Sequence, residues 1–460
     1  MEDEQSRKEQ PLELTSEPKG EPINEPIIEQ ASESIGEPNS APTDVPTDVQ
    51  ADEPVDWKPP VNHKKNNRII IILSIVLVAV ILIIGGVFLA TNWNKLFGAN
   101  GATDENAVVL ENTALKSGTV TVEIGGKSIT YSGAYVVDGT EATIVSGEYA
   151  SATDNQAVFV VANGGSLTID GDVKISKTGS ENFDGRGDDY SFYGLNSAIV
   201  VVGEGSSLTV KGATIETDTP GANAVIAVDK AHAVVGETSI TTTKDGSRGL
   251  HATYGGGIDA YEVNISTAGG SSAALATDRG SGAIKAEAMT LNTAGAGSPL
   301  IYSTGEIVVS GSTGTATGAQ IAVVEGKNMV ELADCDFSAN GNGNRNGVDN
   351  AGVMIYQSMS GDADEGVGIF NVMDSTLKIL DTSSVYNAAP FFFVTNTTAR
   401  IIATNTVIEY SPEQSFITAV GTSEWGQGGA NGGIVEVGLT STETTNTEIT
   451  VDDISSVTGL

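Results

Sequence analysis

Beyond residue 98 the apolar residues come in short runs broken by Gly, Asn, Asp and Ser, and no helical period appears. One apolar strand recurs: AVFVV at Ala157, AIVVV at Ala198, AVIAV at Ala224, GLHAT at Gly249, AALAT at Ala273 and PLIYS at Pro299. The series continues with QIAVV at Gln320, VMIYQ at Val353, FFFVT at Phe391 and FITAV at Phe416. A second strand type lies between copies: ATIETD from Ala213, TSITTT from Thr238, VNISTA from Val263, MTLNTA from Met289 and CDFSAN from Cys335. Its central apolar residues are Ile215, Ile240, Ile265, Leu291 and Phe337, and the first four are 25, 25 and 26 residues apart. A third run completes each repeat: AHAVVGE, GGIDAYE, SGAIKAE, TGEIVVSG, KNMVELAD.

A strand of four to six residues cannot hide its own apolar side. Copies stacked about 4.8 Å apart pair every backbone group with the coil above and below, and inward residues form apolar ladders. Three short strands per repeat of about 25 residues predict an all-β fold, a parallel β-helix over residues 104–460. A propeller would repeat at about 40–45 residues, and sandwiches would show hairpin spacing over about 100 residues. Abundant Val and Thr suit a pleated ladder, and the 55 glycines suit corners that need positive φ. Two repeats carry insertions, ENFDGRGDDYSFYG between Ala157 and Ala198 and NGNGNRNGVDN before Val353. A further loop, SGDADEG, follows Met359.

The first hundred residues differ. Ile69 to Ala90 are 22 uncharged residues, long enough as a helix to cross a hydrocarbon core of about 30 Å. Polar residues fill positions 1–68, so residues 69–91 read as an uncleaved signal-anchor. His63, Lys64, Lys65 and Arg68 precede the span and only Lys95 follows closely. The positive-inside bias puts residues 1–68 in the cytoplasm and everything after a linker, 92–103, outside the cell membrane. The tail is a disordered acidic spacer: glutamates recur every fourth position from Glu9 to Glu37, but Pro18, Pro22 and Pro26 forbid a helix.

The net charge is −36, with one cysteine. That excludes an internal disulfide and a thiolate cluster, and it argues against nucleic acid as a partner. The lipid bilayer is the partner of the span.

The middle repeats carry a resemblance. SRGLHATYGG (Ser247–Gly256), AALATDRG (Ala273–Gly280), SPLIYSTG (Ser298–Gly305), VVEGKN (Val323–Asn328) and VMIYQSMSGDADEG (Val353–Gly366) resemble adhesin-like surface proteins of bacteria and archaea with the pectin-lyase fold. The resemblance covers roughly residues 140–440. It implies a right-handed, single-stranded β-helix and a location on the cell surface. Some similar β-helices bind polysaccharides, and others are polysaccharide lyases or hydrolases.

Aligning the repeats stacks Ala252, Ala276 and Ile301 in one inward column. One step on lie Thr253, Thr277, Tyr302, Val323 and Tyr356, then Tyr254, Asp278, Ser303 and Gln357, then Arg279, Thr304 and Glu325. One strip would therefore hold Arg248, His251, Tyr254, Asp278, Arg279, Tyr302, Glu325, Lys327, Tyr356 and Gln357. Tyr rings stack on sugar faces, and Arg, Asp and Gln bond hydroxyls and carboxylates. The expected ligand is a glycan, either an extracellular, cell-wall or host-surface polysaccharide. The structural alternative is an Asp278–Arg279 corner ion pair with tyrosines capping the core. A lyase would use Arg279 or Lys327 as base, with Asp278 and Glu325 as Ca2+ ligands, too few for a full oxygen cage. A hydrolase would need Asp278 and Glu325 across the bond, but two coil steps put them roughly 10 Å apart. Non-catalytic binding is the leading expectation and needs no cofactor. Glu181, Asp184, Asp188 and Asp189 in the insertion are candidate Ca2+ ligands, although without EF-hand spacing. Cys335 reads as a small core residue.

Overall fold

The computed structural model describes residues 115–458, leaving out 186, 343–349, 359–361, 381–388, 422–433, 448 and 452–455. The tail, the apolar segment 69–91 and the linker lie outside the described residues. Among the described residues no helix is long and apolar enough to cross a membrane.

Short strands stack into a three-faced parallel β-solenoid. The first face runs from Lys127–Asp138 and Ala157–Ala162 through Leu250–Thr253 and Leu275–Asp278 to Ile449–Val451, each strand parallel to the next. Lys116–Ile124 joins its start as an antiparallel hairpin partner. The second face runs from Ser207–Lys211 to Ser456–Thr458, and the third from Thr214–Asp218 to Glu443–Thr444. Before them, the single strand Ser166–Thr178 serves both faces, its first half pairing with Ser207–Lys211 and its second with Thr214–Asp218.

The apolar positions of the repeat become the core. On the third face Ile215, Ile240, Ile265 and Leu291 share one row, in the order their spacing predicts. The row then passes through Gly314 before it reaches Phe337, so this coil's third-face strand lacks the apolar residue that marks the others. A Cβ at Gly314 would meet the Leu291 carbonyl at 2.7 Å and Leu300 Cδ1 at 3.0 Å. Leu300 fills the space that the other coils give to the row's own side chain. Further along, Phe370, Phe391, Phe392, Phe416 and Tyr410 pack ring to ring inside the solenoid.

Two corner devices carry the chain between faces. Where the third face meets the first, Ser247, Ser272 and Ser298 stack in register. Each hydroxyl accepts the N–H of the preceding coil (Ala222, Ser247, Ser272) at 2.9–3.0 Å. Each donates to a carbonyl of that coil (Thr219, Lys244, Gly269) at 2.8–3.1 Å. Where the second face meets the third, one residue per coil is left-handed: Gly212, Glu237, Glu262, Ala288, Gly311, Asp334, Asp374, Asn405 and Ser441, with φ between 47° and 75°. Glycine fills two of these positions only, whereas positive-φ glycines recur at the other corners, as at Gly221, Gly246 and Gly297 before the first face and Gly164, Gly203, Gly255 and Gly280 after it. The non-glycine residues are held by the stack. The amides of Glu237, Glu262, Ala288, Gly311 and Asp334 each donate to the next coil at 2.9–3.1 Å. Left-handed backbone costs a residue with a Cβ about 1–2 kcal/mol, and a continuous ladder offsets it.

Gly311→Ala should therefore lower stability by about 1 kcal/mol, because a Cβ there meets nothing closer than 3.9 Å and only φ is strained. Ala288→Gly, one coil away, should be neutral to stabilising by up to about 1 kcal/mol. Chemical denaturation of the two variants checks the pair, and a destabilised Ala288→Gly would contradict the left-handed corner.

Candidate functional site

Residues alternate sides along a strand, so a sheet with one wet side should show alternating burial. The second and third faces do. The first face does not: Ile199–Val202, Val225–Val228, Leu250–Thr253 and Leu275–Asp278 are buried at every position. Its outer side is covered. Val200, Val202, Ile226 and Val228 pack under Ile129, Tyr131, Tyr193 and Leu195, from the N-terminal hairpin and the insertion after Ala162. Further along, Val323, Met354 and Phe393 form a second outer cluster with Tyr302 and Tyr356. Polar side chains lie between the two clusters.

The register differs from the one aligned by motif. His251, Ala276, Tyr302, Val323 and Met354 share a row on the outer side. Ala252 pairs with Thr277, and Ile301 with Leu275. The motif alignment is thus one residue out at the His251 and Tyr302 coils and two out at Tyr356, which pairs with Glu325. A one-residue slip exchanges the sides of a sheet. In the true register Thr277, Ser303 and Val324 share an inward row, and Asp278 and Glu325, one residue on, both face outward.

The ten strip residues separate into three groups. In the first, one carboxylate oxygen of Asp278 accepts from Arg248 Nη2 at 3.1 Å and from His251 Nε2 at 3.1 Å. His251 is fully buried. Burial, and then the charge of Arg248, pull its pKa down to about 4 against the opposing pull of Asp278. The ring is neutral near pH 7. Its Nε2 proton goes to Asp278, so Nδ1 carries a lone pair. His251 Nδ1 and Arg248 Nη1 are buried and have no hydrogen-bond partner.

The second group centres on Glu325. Its Oε2 accepts from the Tyr302 hydroxyl at 2.6 Å and the Tyr356 hydroxyl at 2.8 Å, and Oε1 accepts from Ser358. Burial pushes the carboxyl pKa up, and these three hydroxyls oppose the shift. Burial also pushes both phenols well above their ordinary value.

The third group binds the insertions. Arg279 donates to Asp362 from Nε at 2.9 Å and Nη2 at 2.7 Å, and its guanidinium lies 4.5 Å over the Phe192 ring. Arg279 itself sits at φ 33°, and the expected Asp278–Arg279 corner pair does not form. Tyr254 stacks on Tyr193 with centroids 5.3 Å apart and donates its hydroxyl to the Tyr193 oxygen at 3.0 Å. Thr253 donates to the Phe192 carbonyl at 2.8 Å. Gln357 donates to the Ala363 carbonyl at 3.1 Å, and exposed Lys327 pairs with Asp364 at 2.8 Å. Sequence reasoning missed Phe192, Tyr193, Ser358, Asp362 and Asp364. The one signal for them was that the insertion before Ala198 and the SGDADEG loop each flank a strand of this face.

The candidate Ca2+ ligands do not gather. Asp189 pairs with Lys127 at 2.8 Å, while Asp188 and Asp189 open the four-residue helix Asp188–Ser191. Glu181 and Asp184 line a cleft with Phe183, Pro220, Lys244 and Asp245. Among the described residues no group of three or more His, Cys, Asp or Glu is placed to hold a metal ion. Cys335 is buried in the core, its thiol pushed up to about 11 by burial.

Compared with known proteins, the chain matches no family model and no curated protein.

Among the described residues one lysine points into the solenoid. Lys177 is fully buried, and its ammonium donates to the Thr153 carbonyl at 3.0 Å and the Thr178 carbonyl at 2.6 Å. Burial lowers its pKa from 10.5 to about 8. Between those values the unfolded chain holds more protons than the folded one, so stability should rise as pH climbs from about 8 toward 10.5. Below about 8 both states hold the proton and this contribution is flat. Urea titrations across pH 7–10.5 should show the rise in the native chain and a flatter profile in Lys177→Met. Equal slopes in the two would refute the burial of the charge.

Proposed function

We propose that the chain is a membrane-anchored, cell-surface, adhesin-like protein that binds carbohydrate on the outer side of its first face, without catalysis. The observation that carries this reading is the convergence on that side of the insertion before Ala198 and the SGDADEG loop after Met359. Insertions of a solenoid map to its working surface, and these bring Phe192, Tyr193, Asp362 and Asp364 to Tyr254, Arg279 and Lys327. Aromatic rings, a guanidinium and amides are the groups that recognise sugars. The winding is right-handed, as parallel crossovers nearly always are. The uncharged segment Ile69–Ala90, with its cations on the N-terminal side, supports the anchor and an external solenoid.

Catalysis fits the geometry less well. Asp278 is taken by Arg248 and His251, and Glu325 by three hydroxyls. Arg279, the candidate lyase base, is an ion-paired guanidinium lying on Phe192. Among the described residues of this strip, the candidate acids and bases are spent on these partners rather than facing each other across an open space.

A glycan array probed with the purified solenoid should show binding, reduced several-fold in Arg279→Ala, where both insertions lose their shared contact. An assay for unsaturated products on polyuronates should stay blank. Binding to no glycan would leave a structural spacer, and turnover abolished by Arg279→Ala would make the protein a lyase. Protease added to intact cells should degrade the solenoid; full protection would place it inside.

A further inference from the structure

We infer that Arg248 and His251 form a subsite for one hydroxyl group of a neutral sugar. This rests on the carbohydrate reading above and names the class of sugar. Both side chains bond the same oxygen of Asp278, each at 3.1 Å. Each has a second nitrogen that is buried and unpaired, Arg248 Nη1 and His251 Nδ1. Guanidinium and imidazole are rigid, so both free nitrogens lie within about 5.5 Å of that one oxygen. Buried polar atoms in a folded protein are nearly always satisfied, so two orphans anchored to one carboxylate point to an outside partner.

The chemistry of the partner follows from what each nitrogen offers. Nη1 can only donate. Nδ1 of the neutral ring can only accept, because the Nε2 proton is already directed at Asp278. A carboxylate or phosphate would satisfy Arg248 but face the lone pair of His251. An ammonium would satisfy His251 but meet the positive charge of Arg248. A hydroxyl accepts from Nη1 and donates to Nδ1 at a single oxygen. The charge balance agrees: Asp278 already neutralises Arg248, and the excess of acidic residues in the chain repels anions. On the outer row Ala276, which stands between His251 and Tyr302, carries only a methyl group.

Calorimetric titration of the full chain with methyl glycosides of neutral hexoses, of glucuronic acid and of glucosamine tests this. A neutral glycoside should bind at least about 10-fold tighter than the charged ones, the worth of one hydrogen bond to a charged group. Arg248→Lys keeps a cation beside Asp278 but loses the second amino group, and should weaken the neutral sugar by about 10-fold. Should that variant fold poorly, the selectivity of the unaltered chain decides alone. Preference for glucuronate, or an unchanged affinity in a folded Arg248→Lys, overturns the subsite. Glycan-array binding that survives Arg248→Lys removes the subsite and leaves the carbohydrate reading standing. A native chain that binds no glycan removes both, the two nitrogens then sharing a buried water.

Discussion

Each coil of the solenoid meets its neighbours through amide-to-carbonyl bonds that run along the three faces and continue through the corners. A single coil has too few inward residues to bury an apolar side, so the bonds and the core exist only in the stack. That dependence explains local choices which look unfavourable alone. Glu237, Glu262 and Asp334 accept left-handed backbone because their amides would otherwise leave the ladder. Gly314 sits in a row of large apolar residues because Leu300 occupies the space from the neighbouring corner. The serine column works in the same way: a hydroxyl both accepts and donates, so one small side chain closes two backbone groups of the coil before it.

The same constraint shows what was legible in the sequence. The third face was readable because its apolar residue is flanked by polar ones, as in Thr214–Asp218 with Ile215 and Thr217 inward. Two-sided polarity fixes both the strand and its register. The first face was readable as strands but not as register. AVIAV is apolar throughout and AALAT is apolar up to Thr277, since both sides of this face are covered, and nothing in them says which side a residue takes. Coil length does not help: the step from Tyr302 to Val323 is 21 residues, and from Val323 to Met354 it is 31. The register therefore changes the neighbours of the strip residues. Asp278 pairs with residues 30 and 27 positions before it in the chain, not with Arg279 beside it.

Covering the first face also changes what its polar residues do. An exposed Tyr302 or Glu325 would be a free contact for a ligand. Under the insertions, Glu325 collects Tyr302, Tyr356 and Ser358, and the group becomes a closed network. A closed network fixes side chains and offers nothing outward. Arg279 has a comparable internal role, because its side chain touches both Phe192 of the insertion and Asp362 of the SGDADEG loop. The contrast lies at Arg248 and His251, whose network around Asp278 is incomplete.

Electrostatics sharpens that contrast. Across the second and third faces, cations reach acids on the neighbouring coil, as in Lys174–Glu216, Lys211–Glu237, Lys378–Glu409 and Arg400–Glu436, at 2.8–3.3 Å. These pairs are about half exposed, so water and salt screen most of their attraction. They favour one register over its neighbours more than they stabilise the coil. The Arg248–Asp278 pair is different. Its carboxylate is 4 % exposed, and taking two charges out of water costs several kcal/mol, roughly what the attraction returns. Stability alone would favour apolar residues there, like the valines that fill the same outer rows at Val200 and Val202. A buried ion pair that is stabilising at best weakly, and that leaves a donor and an acceptor unspent, is the arrangement the proposed subsite requires.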